Sequence, residues 1–169
     1  MHSGPVVIGF DGTTIAEQAL RQSAALLAPR PAVVVVVWEA GRAFALEALS
    51  VDAVKAVELA PVSPDLRSAE EVQRAAYDAT DRLAQQGAAL ATQLGYHAEG
   101  LAVADERTVA ETLLRVAAER DSQALVVGSH GRRGLTAALL GSTSKVIVAE
   151  ATCPVMIVRG VVPHQDSGA

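Results

Sequence analysis

The stretch Ala32-Val-Val-Val-Val-Val-Trp38 limits the possible folds of this chain more than any other. Its apolar residues are continuous rather than alternating, and most are β-branched, which fits a strand covered on both faces. Strands of that kind sit in parallel sheets, and parallel neighbours need crossover connections of a dozen residues or more. The remaining sequence supplies them. Val6 to Phe10, after Pro5, reads as a first buried strand. Thr14-x-x-Glu17 is a capping box opening a first helix, with Ala16, Leu20, Ala24 and Leu27 on one face and Pro29 and Pro31 as the stop. Ser68-x-x-Glu71 opens a long helix whose inner side is expected to carry Val72, Ala76, Ala79, Leu83, Leu90 and Leu94, ending at Gly95. His97 to Ala104 is a third strand with Leu101 and Val103 inward. Thr108-x-x-Glu111 starts a helix with the stripe Val109, Leu113, Val116, Ala117. Ala124 to Val127 and Val155 to Val158 complete five strands. Helices between short apolar strands give an α/β fold, a doubly wound parallel sheet.

Half of the 169 residues are apolar, yet only 3% are aromatic, so the core is built from Ala, Val and Leu. That length suits a single core. The expected division is one domain over residues 1–160 and a frayed tail over 161–169. Gly41 to Pro64 reads as a helical excursion covering the ligand or as a surface insertion. The longest apolar stretch is too short to span a bilayer, and Met-His-Ser-Gly-Pro lacks the regions of a signal peptide, so a cytoplasmic protein without membrane contact is expected. The single Cys153 excludes an internal disulfide and reads as a packed small residue.

The second constraining feature is Gly128-Ser-His-Gly131-Arg-Arg-Gly134-Leu-Thr-Ala-Ala-Leu-Leu-Gly141-Ser142-Thr143, between strand four and the last helix. Glycines let a ligand approach the backbone, and amides at a helix start favour an anion. Earlier helices carry Glu in their first turn, whereas the equivalent position here is Lys145. Arg132, Arg133, Lys145 and Arg159 make this the basic part of a chain with net charge −5. That balance supports a small phosphorylated ligand and argues against nucleic acid, which needs a basic face. Arg132 either reaches a phosphate or is solvated. His130 has no visible partner and reads as a loop residue rather than an acid or base. The loop is not Gly-x4-Gly-Lys-Ser/Thr, and Gly-x-Gly-x-x-Gly after strand one is missing. The sequence holds no clustered zinc ligands.

Gly128-x2-Gly131-x9-Gly141-Ser142 resembles the nucleotide-binding signature of the universal stress protein family, in its ATP-binding branch. Val6-Val-Ile-Gly-Phe-Asp11-Gly-Thr13 and Cys153-Pro-Val-Met-Ile-Val-Arg159 resemble the family's two ends, so the likeness spans nearly the whole chain. It implies an adenine nucleotide alpha-hydrolase-like fold with strand order 3-2-1-4-5. In that order strands one and four flank the switch point where ligands bind. The resemblance then implies Asp11 near ribose and adenine, Gly9 presenting backbone, and Val37 at the adenine edge. Val127 and Gly128 to Gly131 would offer amides to phosphates, with His130, Arg132 and Gly134 in the same loop. Gly141, Ser142 and Thr143 would form the helix start, Ser142 either capping its helix or donating to phosphate. ATP is the implied cofactor, with Mg²⁺ held mainly by the phosphates. The family also implies a homodimer through strand five, Val155, Met156, Ile157 and Val158. The leading expectation is a nucleotide-dependent regulatory module in stress response. The alternatives are a slow ATP or phosphoanhydride hydrolase and a partner-binding homodimer with incidental nucleotide.

Overall fold

A computed structural model describes residues 3–39, 69–105, 108–129 and 141–159. Its elements are β1 (Val6–Gly9), α1 (Thr14–Leu27), β2 (Pro31–Glu39), α2 (Ala69–Gln93), β3 (His97–Asp105), α3 (Val109–Glu119), β4 (Ala124–Gly128), α4 (Ser142–Glu150) and β5 (Val155–Val158). The strands form one five-stranded sheet in the order β3-β2-β1-β4-β5. Every neighbouring pair is parallel, with Val6 opposite both Ala32 and Ala124, Val35 opposite Leu101 and Val127 opposite Ile157. The 41–64 excursion and the 161–169 tail lie outside the described residues.

Alternation along each strand sorts the core into two layers. Val6, Ile8, Phe10, Ala32, Val34, Val36 and Val126 point to the side covered by α1 and α2. Val7, Val33, Val35, Leu125 and Val127 point to the side covered by α3 and α4, where Leu113, Val116 and Ile147 meet them. The valine run of β2 therefore serves both cores, which is why it shows no alternation in hydrophobicity.

Three details of the helices differ from the sequence expectation or sharpen it. α1 is capped by Thr13, whose hydroxyl accepts from the Ala16 amide at 3.3 Å, so the Thr14 to Glu17 capping box does not form. Asp11 decides between the two threonines: its Oδ1 accepts from the Thr13 amide at 3.0 Å and the Thr13 hydroxyl at 2.6 Å, fixing Thr13 at the turn. α3, by contrast, is capped as expected, Thr108 accepting from the Glu111 amide at 3.2 Å. Ser68 lies outside the described residues, as do the side chains of Glu71 and Val72. α2 ends as expected at Gly95 (φ 101°), with Tyr96 N–H donating to Ala91 and Gly95 N–H to Thr92.

The inner stripe of α2 is rotated from the expected one. Thr80, Ala84, Ala88 and Ala91 are buried, Leu83, Leu90 and Leu94 pack only partly against the core, and Ala79 is exposed. The cause is a close approach to β3: a Cβ on Gly100 would lie 2.6 Å from the carbonyl carbon and oxygen of Ala84. Only small side chains fit between backbones so near each other, and the leucines take the flanks. Gly100→Ala is therefore expected to destabilise the protein by about 1–3 kcal/mol, because backbone rather than a side chain would have to give way. Urea unfolding measures this, and an unchanged midpoint would show that α2 is free to lift off.

Candidate functional site

β1 and β4 are neighbours in the sheet but are separated in sequence by three helices and two strands among the described residues, so their carboxyl ends bring distant residues to one corner. β1 leads into Phe10 and Asp11, and Phe10 N–H still donates to Val35 O at 2.9 Å, which holds the end of β1 against β2. Asp11 is half-buried, its carboxylate oriented by the two Thr13 bonds, and Gly12 turns the chain at φ 77°. A Cβ on Gly9 would lie 3.0 Å from Leu113 Cδ1 and 3.3 Å from Val127 Cγ1. This glycine position thus answers to packing under α3 as well as to any ligand. Val37 is half-buried, pairs with Val103 and packs into the α3–α4 core. Trp38 is buried on the other face, and its indole N–H has no acceptor among the described residues.

On the β4 side the chain is held at Ser129 and again at Gly141. Ser129 N–H donates to Val158 O at 2.7 Å, and Gly141 N–H donates to Ser129 O at 2.9 Å. These two amides are engaged within the protein. The next ones differ in kind. α4 begins at Ser142 with Gly141 as N-cap, which makes no side-chain capping bond, and the first turn carries no acidic residue. The first amide shown to close a helical turn is Lys145 N–H, donating to Gly141 O at 3.1 Å. The amides of Ser142, Thr143 and Ser144 are first-turn donors, with the positive end of the helix dipole behind them. Ser142 is exposed and Thr143 half-buried, so their hydroxyls stand at the rim. Because Gly141 occupies the N-cap, Ser142 does not cap this helix, and the expected competition between capping and phosphate binding does not arise.

Of the residues singled out from sequence, Gly9, Asp11, Val37, Val127, Gly128, Gly141, Ser142 and Thr143 are described, and they belong to the carboxyl ends of β1, β2 and β4 and to the start of α4. His130, Gly131, Arg132 and Gly134 lie outside the described residues. Three residues prove structural at this corner: the sequence reading gave Thr13 and Ser144 no role, and it expected the Ser129 amide, here given to Val158, to be offered to a phosphate. Thr13 orients Asp11, Ser129 engages both β5 and Gly141, and the buried Ser144 donates its hydroxyl to Gly128 O at 3.0 Å. A run of hydroxyl residues after Gly141 was the available signal for Ser144, but its acceptor is sixteen residues away in sequence.

Among the described residues no group of three or more His, Cys, Asp or Glu is placed to hold a metal ion, and no helix is long and apolar enough to cross a membrane. Cys153 is free and half-buried at the opposite end of the sheet, and burial pushes its thiol above the ordinary cysteine range. It packs against the α3–α4 core and lines a pocket of about 220 Å³ with Leu114, Ala117 and Glu150.

Comparison with known proteins places this architecture. A universal stress protein of Mycolicibacterium smegmatis is 55% identical over 40 residues, which span 24% of this chain and 14% of that protein. The fold of hypothetical protein MJ0577 matches with a TM-score of 0.66 at 17% identity, covering 96% of this chain and 99% of that one. The universal stress protein from Archaeoglobus fulgidus in complex with dAMP matches with a TM-score of 0.55 at 18% identity, covering 94% and 99%. A universal stress protein in complex with cAMP and an Arabidopsis thaliana family protein with AMP bound share the fold, each with a TM-score of 0.57. The sheet order and helical layers are those of the adenine nucleotide alpha-hydrolase-like fold. The model of the universal stress protein family matches residues 3–159, and the chain belongs to that family.

Proposed function

We propose that this protein binds ATP in the crevice between the ends of β1 and β4 and acts in the cytoplasm as a nucleotide-dependent regulatory module in stress response. The observation that carries the reading is the start of α4: first-turn amides with no side-chain cap among the described residues and no acidic residue in the first turn, beside the carboxyl end of β4. Phosphate suits such a helix end because backbone amides donate to it and the dipole favours its charge. Asp11, across the switch point, suits ribose, since a carboxylate accepts hydroxyl hydrogen bonds. Relatives of this fold hold dAMP, cAMP and AMP, which supports an adenine nucleotide as the class of ligand. Mg²⁺ would enter on the phosphates and leave the protein to supply amides and hydroxyls.

The same reading includes a homodimer formed through β5, an edge strand in which Val155, Met156 and Ile157 are only half-buried. An unpaired apolar edge is a pairing surface unless covered. Calorimetric titration of the purified protein with ATP, paired with sedimentation, tests both parts. Saturable one-to-one binding and a dimer at micromolar concentration are the expected results. No saturable heat up to millimolar ATP would count against the nucleotide site, and a monomer against the assembly.

A further inference from the structure

Ser144 is the third residue of α4 and only 2% exposed, and it is the one hydroxyl of the Ser142-Thr143-Ser144 run that turns away from solvent. Its Oγ donates to Gly128 O at 3.0 Å, with Ser129 O at 3.5 Å. A hydroxyl has one proton to give, and the shorter contact takes it. Ser129 O also accepts the Gly141 amide at 2.9 Å, and Ser129 N–H is spent on Val158. The last peptide groups of β4 are thereby tied to the N-cap of α4, to its first turn and to β5. Among the described residues no capping side chain contributes to this arrangement. Ser144 is the side chain in this set, and the Gly141 amide bond to Ser129 O is the backbone tie beside it.

We propose that Ser144 is a positioning residue for the phosphate end of the nucleotide site: its hydroxyl never meets the ligand but fixes where the amides of Ser142 and Thr143 stand. This rests on the nucleotide reading above. Affinity at such a site depends on donors already held in the bound geometry, since ordering them on binding subtracts from the gain. Ser144→Ala removes one oxygen from a buried spot and is expected to leave the fold intact, which thermal melts check. A serine at another buried helical position serves as control: Ser23, fully buried, donates to Leu20 O at 3.1 Å in α1, away from this corner.

The experiment is calorimetric titration of wild type, Ser144→Ala and Ser23→Ala with ATP and with adenosine. Thermal melts of all three are recorded alongside. The expected result is a loss of about five- to tenfold in ATP affinity for Ser144→Ala, the factor one hydrogen bond commonly carries. Its adenosine affinity and that of Ser23→Ala for both ligands should match wild type. ATP binding by Ser144→Ala equal to wild type overturns the proposal and leaves the nucleotide reading standing. A fall in ATP and adenosine affinity by the same factor also overturns it, since the effect would then be general loosening. Failure of the wild type to bind either ligand overturns the nucleotide reading itself and this inference with it.

Discussion

Replacing Gly141 by Asp is expected to make the protein slightly more stable and far poorer at binding ATP. The N-cap backbone sits at φ −60° and ψ 161°, a conformation that an L-residue adopts without strain. An Asp there can accept from the amide of Thr143 or Ser144 and place negative charge at the positive end of α4, and the gain from cap and dipole together is about 0.5 kcal/mol. In a protein of this size that raises Tm by roughly 1–2 °C. The same carboxylate occupies the donors proposed for phosphate and repels it. Two charges about 4 Å apart near a protein surface interact by about 4 kcal/mol, so the affinity should fall roughly 100- to 1000-fold. Gly141→Asn separates the two contributions, since it caps without charge and should cost less affinity. A stabilised Asp variant that bound ATP as tightly as wild type would remove α4 from the site.

Asp11→Ala is expected to act in the other direction on stability and the same direction on binding. The Thr13 amide and hydroxyl both lose their acceptor, at 3.0 and 2.6 Å, and with them the restraint that makes Thr13 the cap of α1. Loosening a threonine cap costs about 1 kcal/mol. Hydrogen bonds to a charged group contribute about 1.5–3 kcal/mol, so losing those from ribose should weaken ATP binding by roughly 10- to 100-fold. Asp11→Asn keeps an acceptor for Thr13 and should recover most of the stability but little of the affinity. Tripolyphosphate, which has no ribose, discriminates further: its binding should be equal in wild type and Asp11→Asn. If it weakens in step with ATP, Asp11 acts on the phosphates through the turn and has no role at the sugar.

The parts of this fold that follow from burial were legible in the residues alone. The valine run of β2, the short apolar strands and the helical stripes each reflect a local contact with a core, and the strands stand within a residue or two of their expected ends. What sequence did not disclose were choices made by partners distant in the chain or by the backbone. Thr13 and Thr14 are chemically equal cap candidates until Asp11 takes hold of one. The leucines of α2 look like its inner face until Gly100 is seen to admit the helix so closely that only alanine fits. Ser144 looks like any helical serine, because Gly128 becomes its neighbour only when β4 and α4 pack. At the site itself the glycine spacing and Asp11 were visible through resemblance to a family. The engagement of the Ser129 and Gly141 amides within the protein was not, and it removes those two from the described donors available to a ligand.

Whether the start of α4 receives the phosphates can be read by titrating ¹⁵N-labelled protein with ATP and following each backbone amide by NMR. Saturable shifts are expected to be largest at Ser142, Thr143 and Ser144, smaller at Asp11 and its neighbours, and absent around Cys153. Saturable shifts centred elsewhere, with the three α4 amides unmoved, would contradict that placement.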